Sequence, residues 1–538
     1  MVYGIDLGTT YSCVARIDET GKPAIVQSAM GEDTTPSVVF FESPASVLVG
    51  QPAKSEGLLA PDLTADLVKL DMGTNAEYTF HGERHTPETV SALILRELTR
   101  AAQEQTGEPV RDVVITVPAS FGIAEREATR RAGEFAGLTV LDILDEPIAA
   151  AIHYQSLAHP ARDAPGSEGT GARHILVYDL GGGTFDTTII RLEGENVLVA
   201  CTDGDGHLGG ADWDQAITAH LLDQLTSEHP GLRPAEDKQF MRDLLLSAEE
   251  LKVKLSKARS QRHIMRLRGL VTQVELTRDT VEELTADLLT RTMAVTERAI
   301  ETAQRKGIPR IDEVLLAGGM SRWPAVAREL KERLGLDARQ HEPEFAVAKG
   351  AAMFAQLRAD QHPGQQAGPQ QSAPLRNGLP GTGRVGAVAS RSFGVRTIDG
   401  NDPRAMTEPL RARHIVVHLL QANTPLPADT GPFPFHTPID NARMVGVEVW
   451  EQSGPEESED LAHNKKVGGG LLRNLPPRLP AGTPIEVTFL MSETGKLSVH
   501  ATEPTSGSEL RFDLQIGDLD EAGREKARHS VAKYKVSG

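Results

Sequence analysis

The sequence predicts an α/β domain, followed by an all-β sandwich and a short C-terminal helix. Through about residue 358, short apolar runs alternate with long amphipathic segments, which indicates strands mixed with helices. Residues 359–383 are rich in Gln, Pro and Gly and offer little to bury, which is typical of a linker. Beyond them, short strands between turn residues are predicted. With 538 residues, the chain has room for roughly three or four structural units.

Four apolar runs in the first part are typical of buried strands, and three segments have the apolar spacing of helices. The predicted strands are 113–119, 174–180, 196–200 and 313–319, and the predicted helices are 88–105, 125–136 and 281–306. Helices of crossover length between strands indicate an α/β architecture.

The part after the linker contains five short runs with strand character, at 414–420, 444–452, 484–491, 496–503 and 510–516. Such runs between Pro, Gly and Asn turns predict an all-β sandwich. Residues 518–535 are predicted as one helix with Asp518 as its N-cap. We therefore divide the chain into an α/β domain (1–358), a linker (359–383), a β domain (384–517) and a helical tail (518–538).

Composition narrows the function classes. Hydrophobic residues make up 39% of the chain, which argues against disorder, and no run approaches the ~18 apolar residues that span a bilayer. The first ten residues lack the basic and apolar regions of a signal peptide. Two cysteines, Cys13 and Cys201, cannot form a disulfide framework, which favours the reducing cytoplasm. A net charge of −19 disfavours nucleic acid, so neither nucleic acid nor a membrane is expected as a partner.

Two related glycine turns carry the clearest chemical signal. Each has the order strand, Asp, any residue, Gly, turn, strand: the first contains Asp6, Gly8, Thr9 and Thr10, and the second contains Asp179, Gly181, Gly182, Gly183 and Thr184. Glycines admit close backbone approach, N–H groups and hydroxyls bind anionic oxygen, and an Asp can hold water on Mg²⁺. One such turn alone fits an ordinary hairpin, but the pair favours a clamp around one triphosphate.

Other glycine patterns are weaker. Of two matches to G-x-G-x-x-G, the one at 381–386 lies in the linker, with no strand before it and no helix after it. The one at 204–209 follows a strand and precedes a predicted helix, but lacks the second strand ending in an acidic residue that a dinucleotide site needs. No Walker P-loop occurs. The turn at 317–326 suits a nucleotide at a helix N-terminus but is also typical of an ordinary turn that connects a strand to a helix. Glu249, Lys252 and Ser256 share one helix face, which is also typical of a solvated surface.

Taken together, these segments resemble the seventy-kilodalton heat-shock protein family of stress-response chaperones over nearly the whole chain. The segments that carry the resemblance are 4–15, 68–73, 114–138, 145–154, 177–186, 205–214, 248–256 and 316–324, and in the β domain 422–427, 444–452 and 485–501. The resemblance implies an actin-like, two-lobed ATPase domain followed by a peptide-binding sandwich. It implies ATP and Mg²⁺ as ligands and allows K⁺.

The resemblance also implies roles for individual residues. Gly8, Thr9, Thr10 and Tyr11 correspond to the first phosphate loop, and Gly181, Gly182, Gly183 and Thr184 to the second. Lys69 corresponds to the lysine against the γ-phosphate, and Asp6, Glu146 and Asp179 to the carboxylates around the attacking water and Mg²⁺, which Asp6 and Asp179 hold through water. Gly210, Glu249, Lys252, Ser256, Gly318, Gly319 and Arg322 correspond to the adenosine pocket.

For the β domain, the resemblance implies a groove for an extended apolar peptide. It is lined by Val395, Thr397, Ile398, Val445, Val447 and Ile485. These positions are equally typical of plain sandwich core, above all Val447 and Ile485.

The chain departs from the family pattern at several places. Residues 518–538 suffice only for the first helix of the family's helical lid, so a truncated lid is expected, and the family's short apolar linker is replaced by polar residues. Asp142 stands where the family has an arginine that meets J-domain partners. The loop between Arg262 and Glu275 is shorter where a nucleotide-exchange factor would bind, and Ile148 and Glu344 replace a threonine and an aspartate. These differences weaken the expectation of a J-domain co-chaperone and an exchange factor as partners.

We therefore predict a chaperone that hydrolyses ATP and couples hydrolysis to binding extended apolar segments of unfolded proteins. Two other classes stay open. A small-molecule kinase on the same actin-like fold would not need the β domain. An adaptor or regulatory protein would use the β domain for one dedicated partner.

Overall fold

The computed structural model describes residues 1–158, 172–340, 342–361, 383–454, 457–514 and 521–538. The mixed α/β fold that the sequence predicts is confirmed. Nearly all of the predicted linker (359–383) and the predicted N-cap Asp518 lie outside the described residues. For description we use a first unit (residues 2–158), a second unit (173–361), a β unit (385–513) and a tail (521–537).

The first unit is built on a mixed sheet. Its strands are β1 (Val2–Asp6), β2 (Tyr11–Ile17), β3 (Pro23–Val26), β4 (Thr35–Pro36), β5 (Val39–Ser43), β6 (Ser46–Val49), β7 (Thr64–Ala65), β8 (Tyr78–Phe80), β9 (Glu83–His85), β10 (Asp112–Val117) and β11 (Thr139–Asp145). Its helices are α1 (Gln51–Glu56), α2 (Pro87–Thr106), α3 (Ile123–Phe135) and α4 (Glu146–Ala158), with 3-10 helices at Pro61–Leu63 and Val68–Asp71. The main sheet has the order β11-β10-β1-β2-β3. Helix α2 begins where Thr86 caps the backbone N–H of Thr89 and ends at Gly107, whose φ is 74°.

The second unit has the same kind of layout. Its strands are β12 (Arg173–Leu180), β13 (Phe185–Glu193), β14 (Asn196–Asp205), β15 (Ser260–Leu267), β16 (Leu270–Thr277), β17 (Glu313–Ala317) and β18 (Ala338–Gln340). Its helices are α5 (Gly210–Glu228), α6 (Lys238–Leu255), α7 (Arg278–Leu284), α8 (Ala286–Arg305), α9 (Pro324–Leu334) and α10 (Ala346–Gln361), with 3-10 helices at Pro234–Glu236 and Gly319–Arg322. The sheet order is β18-β17-β12-β13-β14. Helix α10 passes the boundary predicted at residue 358 and continues to Gln361.

Both units repeat one strand pattern. Strand β1 pairs antiparallel with β2 and parallel with β10, and β12 pairs antiparallel with β13 and parallel with β17. The two glycine turns of the sequence are the connections β1–β2 and β12–β13, so they occupy equivalent places in the two units. This equivalence is what lets them face one another.

One predicted helix is wrong. Residues 281–306 were expected to form a single helix, but α7 ends at Leu284 and α8 begins at Ala286. Between them Thr285 has a non-helical backbone, with φ −119° and ψ 16°, and its buried hydroxyl donates to the carbonyl of Val281. The apolar spacing continues through this break, which is why the sequence pattern does not show it.

The β unit consists of two antiparallel sheets around a shared apolar core. Its strands are β19 (Val385–Gly386), β20 (Phe393–Ile398), β21 (His414–Leu420), β22 (Ala428–Asp429), β23 (Phe433–His436), β24 (Val445–Gln452), β25 (Asn464–Leu472), β26 (Pro484–Met491), β27 (Leu497–Glu503) and β28 (Ser508–Asp513), with 3-10 helices at Pro409–Arg411 and Leu461–His463. The sheet orders are β21-β20-β24-β25 and β22-β26-β27-β28, with β23 also on β26, while β19 pairs with β14 of the second unit.

The tail differs from its prediction as one helix over 518–535. Helix α11 (Glu521–Ala532) is followed by strand β29 (Lys535–Ser537), which pairs parallel with β6 of the first unit. Tyr534 leaves the helical path because its side chain is buried in the first unit. No helix within the described ranges is both long and apolar enough to cross a membrane.

Candidate active site

A cavity of about 470 Å³ lies between the first and second units, and both glycine turns line it. All of the predicted nucleotide residues except Gly183 line this cavity: Asp6, Gly8, Thr9, Thr10, Tyr11, Lys69, Glu146, Asp179, Gly181, Gly182, Thr184, Gly210, Glu249, Lys252, Ser256, Gly318, Gly319 and Arg322. Residues from position 6 to position 322 of the chain therefore meet at one place.

The two glycine turns touch each other. A Cβ atom on Gly182 would lie 2.2 Å from the hydroxyl oxygen of Thr10, and one on Gly183 would lie 2.7 Å from a methyl carbon of Thr9. A Cβ on Gly8 would lie 2.0 Å from the carbonyl oxygen of Tyr11. Glycine is required at Gly182 and Gly183 because a side chain there would separate the turns, and at Gly8 because a side chain would meet the backbone of its own turn.

Lys69 is the buried cation of the site. It lies on the 3-10 helix Val68–Asp71, is 7% exposed, and its Nζ donates to Oε1 of Glu146 over 2.7 Å. Breaking a buried pair of this kind leaves an uncompensated charge, so each partner fixes the other.

Carboxylates surround this pair. Burial and the neighbouring Glu146 raise the pKa of Asp6 to about 7, although Lys69 opposes the shift. Burial and the neighbouring carboxylates likewise hold the pKa of Asp179 well above its ordinary value. Burial also raises the pKa of Asp186 to about 7, although Asp186 accepts hydrogen bonds from the backbone of Ala119 and Ser120. The concentrated negative charge fits a bound cation.

The donor set fits a hydrated Mg²⁺ rather than a bare one. Among the described residues, no three His, Cys, Asp or Glu side chains converge closely enough to hold a metal ion directly. Mg²⁺ keeps several of its waters and binds through one or two carboxylates plus phosphate oxygens. Asp6 and Asp179 at the cavity wall are suited to hold such waters.

The opposite wall of the cavity is formed by α6 and the turn before α9. Lys252 donates to Oδ2 of Asp214 and to the carbonyl of Gly210, both over 2.7 Å. Burial raises the pKa of Asp214 to about 6, although Lys252 opposes the shift. Arg322 donates to Glu344 over 2.5 Å. Gly318 has φ 76° and lies against Asp179, so only glycine fits there.

Lys54 was not predicted as a site residue. It lies on α1 beside the cavity, and its Nζ donates to Oε2 of Glu249 over 2.6 Å and to the Tyr11 hydroxyl over 3.0 Å. Burial favours a higher pKa for Glu249, but Lys54 and Tyr11 hold it below its ordinary value. The sequence of α1, QPAKSE, contains no signal that distinguishes Lys54 from a surface lysine. Asp214, which pairs with Lys252, was also missed.

Two more ion pairs join the first unit to α6. Asp62 binds Lys238 over 2.7 Å, and Asp66 binds Arg242. Together with Lys54–Glu249, we call these the cross-unit ion pairs, since each joins residues 51–66 of the first unit to α6 of the second.

A second cavity, of about 1040 Å³, lies on the β unit. All six predicted groove residues line it: Val395, Thr397, Ile398, Val445, Val447 and Ile485. Val395, Val447 and Ile485 are nearly fully buried and also belong to the core between the sheets. The exposed apolar rim, which includes Met406 and Leu410 at 93% and 73% exposure, was not predicted.

The β unit contacts the first and second units through polar groups. Oε1 of Glu451 accepts from the backbone N–H of Ile123 over 3.2 Å, and Arg391 donates to the carbonyl of Ser120 over 3.1 Å. Asn423 accepts from the backbone N–H of Thr202 over 2.7 Å, and Lys306 donates to the carbonyl of Asn423 over 2.6 Å. We call this contact the β-unit interface.

Asp142 stands where the family has an arginine that meets J-domain partners. Its side chain is buried and paired with Arg358, with Nη2 and Oδ2 2.8 Å apart. The weakened response to a J-domain stays a prediction.

Paired glycine turns, a buried lysine and clustered carboxylates between two similar units define a nucleotide-hydrolysing class of protein. The family model described as Hsp70 protein matches residues 2–78 and 61–366. Two curated relatives named "Chaperone protein DnaK", from two strains of Halobacterium salinarum, are each 34% identical over 550 residues, covering 98% of this chain and 78% of the relative. The chain belongs to the Hsp70 family. It is an ATP-dependent chaperone of that type and an ATPase.

Proposed function

We propose that the first and second units are the two lobes of an actin-like ATPase domain, and that the β unit is a sandwich that binds extended apolar polypeptide. The observation that carries this proposal is the contact between the two glycine turns at one cavity, with Lys69 between the carboxylates. No kinase would need the second, apolar cavity on the β unit.

In this proposal, the turns Gly8–Tyr11 and Gly181–Thr184 lie against the phosphates of ATP, and Lys69 places a positive charge at the γ-phosphate. Bound Mg²⁺ neutralises phosphate charge, and Asp6 and Asp179 would hold it through water. Asp6, Asp179 and Thr184 orient the attacking water. Glu146 positions Lys69, because its carboxylate is the ammonium's hydrogen-bond partner. Such pre-set charge acts mainly on the transition state.

The remaining predicted residues would hold the adenosine. Glu249, Lys252 and Ser256 lie on α6, and Gly318, Gly319 and Arg322 lie on the facing turn, with Gly210 at the start of α5. The Lys252–Asp214 pair fixes α6 against α5 and so sets the width of this pocket.

The apolar cavity of the β unit suits a peptide in extended form. Val395, Val447 and Ile485 form an apolar floor, and Met406 and Leu410 form an exposed rim. Flexible apolar side chains such as Met can adapt to different sequences. We propose unfolded polypeptide segments as partners, with co-chaperones expected in general from the family, and a cytoplasmic location in which Cys13 and Cys201 stay reduced.

The test is single-turnover ATP hydrolysis by the full chain, with an extended apolar peptide and with a charged peptide of the same length as control. Faster hydrolysis with the apolar peptide alone is expected. Hydrolysis that responds to neither peptide would contradict the coupling, and absence of hydrolysis would contradict the site.

A further inference from the structure

The tail is seated on the first unit and not on the groove of the β unit. Helix α11 packs on α2 and α3. Val531 and Tyr534 are 1% and 3% exposed and belong to the same core cluster as the strands of the first unit. Burial of this degree is typical of a domain core and not of a loose terminal segment.

Tyr534 anchors the tail in an aromatic pocket. Its ring lies 5.7 Å from those of Phe41 and His85, and its hydroxyl is 3.3 Å from Nε2 of His85. Arg96 on α2 donates to the carbonyl oxygens of Val531 and Tyr534, over 2.5 and 3.2 Å. Arg96 therefore ties the end of α11 and the residues after it to α2.

The tail also completes a sheet of the first unit. Strand β29 pairs with β6 in the register Lys535–Ser46, Val536–Val47 and Ser537–Leu48, and the N–H of Lys535 donates to the carbonyl of Ala45 over 2.8 Å. The resulting sheet has the order β29-β6-β5-β7. Without β29, strand β6 would be its edge, with unpaired backbone groups.

This four-stranded sheet carries the cross-unit ion pairs. Helix α1, with Lys54, directly follows β6, while Asp62 and Asp66 flank β7. The Lys69 helix begins at Val68, three residues after β7 ends. The positions of these side chains therefore depend on how firmly the sheet is held.

The three ion pairs do not matter equally. In the Asp62–Lys238 pair, both side chains are more than two-thirds exposed, so this pair contributes little to stability. The side chains of Lys54 and Glu249 are 16% and 20% exposed, and Arg242 in the pair with Asp66 is 11% exposed. These two shielded pairs join the first unit to α6 beside the cavity.

We propose that the tail is a brace that slows nucleotide release: by completing the β29-β6-β5-β7 sheet, it holds Lys54 and Asp66 in position to bind α6. This rests on the proposed function only in that the cavity binds nucleotide. Residues of α6 line the cavity, so breaking the shielded pairs frees that wall to move, and a looser sheet lets them break more often. Undocking of the tail therefore speeds release without touching the cavity.

A matched pair of variants in the full chain tests the brace. Lys535→Pro removes the N–H that donates to Ala45, whereas Lys535→Ala removes the same exposed side chain and keeps that N–H. We expect a fluorescent ADP analogue to leave Lys535→Pro about five- to tenfold faster in stopped-flow displacement, and to leave Lys535→Ala at the wild-type rate. Tyr534→Ala, which removes the anchor, is expected to act in the same direction.

A cross-link tests the docking itself, independently of nucleotide. In a Ser46→Cys, Lys535→Cys double variant, a disulfide can form only if β29 pairs with β6 in the observed register. Cys13 and Cys201 are buried and do not compete. The oxidised form is expected to release the ADP analogue no faster than the wild type.

The outcomes separate the two proposals. Failure of the disulfide to form, or equal release from Lys535→Pro, Tyr534→Ala and Lys535→Ala, would overturn the brace. If the double variant forms the disulfide but the wild-type chain binds no ADP analogue, the proposed function is contradicted and the docking of the tail still stands.

Discussion

The first unit carries two docked partners, the tail and the β unit, and the two contacts are built differently. The tail inserts Val531 and Tyr534 into the apolar core and extends a sheet. The β unit packs on Ile123, adds the two-residue strand β19 to β14, and packs Val385 and Ala387 against a core cluster of the other units. Its other contacts are polar, such as those of Arg391 and Asn423 with backbone atoms. Contacts of the first kind resemble a domain core, and contacts of the second kind resemble interfaces between domains that move.

Glu451 makes the β-unit interface costly to form. Its carboxylate is 1% exposed, and Oε1 accepts one backbone hydrogen bond. Within the part of the chain that the structure describes, Oε2 accepts none, and the nearest cation, Arg391, is 3.9 Å away. Burial raises the pKa of Glu451, with Arg391 opposing and Glu125 reinforcing the shift. A buried carboxylate so weakly compensated lowers the stability of this contact.

The largest expected effect concerns the tail. Tyr534→Ala should lower the free energy of unfolding by about 3–5 kcal/mol, because it empties an aromatic pocket in the core of the first unit. Urea unfolding followed by circular dichroism measures the loss. The control Met406→Ala removes a side chain that is 93% exposed and should change stability by less than about 0.5 kcal/mol. A loss below about 1 kcal/mol for Tyr534→Ala would mean that the tail is not a core element.

A smaller effect is expected at the β-unit interface. Glu451→Gln keeps an acceptor for the Ile123 N–H but removes the buried charge, so it should favour the docked state by roughly 1 kcal/mol. Energy transfer between dyes on the second unit and the β unit would show the larger docked fraction. Glu448→Gln, on the same strand but paired with Arg396 and Lys466 near the surface, should leave docking unchanged. A more open Glu451→Gln chain would contradict the role given to this charge.

The two contacts should respond to pH in opposite directions. Burial lowers the pKa of His85, which packs on Tyr534, to about 4 from 6.5. Undocking of the tail removes part of this burial, so the undocked state takes up a proton on His85 more readily than the docked state between pH 6.5 and 4. Tail docking should therefore weaken as the pH falls through this window. The raised pKa of Glu451 has the reverse consequence, since its protonation in the docked state stabilises the β-unit interface as the pH falls.

Hydrogen exchange at pH 7 and pH 5 can report on both contacts in one sample. After correction for intrinsic rates, protection of residues 531–537 should fall at the lower pH, and protection of Ile123 should rise. His85→Gln should remove the first change and Glu451→Gln the second. If protection changed in the same direction at both contacts, the opposite pH responses of the two contacts would be contradicted.

The sequence could predict what depends on local pattern. The glycine turns with Asp6 and Asp179 are local motifs, and their repetition is enough to predict that they face one another. The end of the tail could not be predicted, because the helical spacing continues past Ala532. Tyr534 instead packs on Phe41 and His85, which are far away in the chain. The ion pair of Asp142 likewise depends on Arg358, 216 residues away. Pairings set by tertiary structure leave no mark in the local pattern.

The most direct test of the hydrolytic site is Lys69→Ala, with Lys54→Ala as a matched control. Lys69 is proposed to act in the transition state, and Lys54 only joins the first unit to α6. Single-turnover ATP hydrolysis should fall by ~10²–10³ in Lys69→Ala with nucleotide affinity nearly kept, since one pre-set charge is removed. Lys54→Ala should instead speed nucleotide release and keep most of the hydrolysis rate. Hydrolysis at the wild-type rate in a folded, nucleotide-binding Lys69→Ala chain would contradict the account.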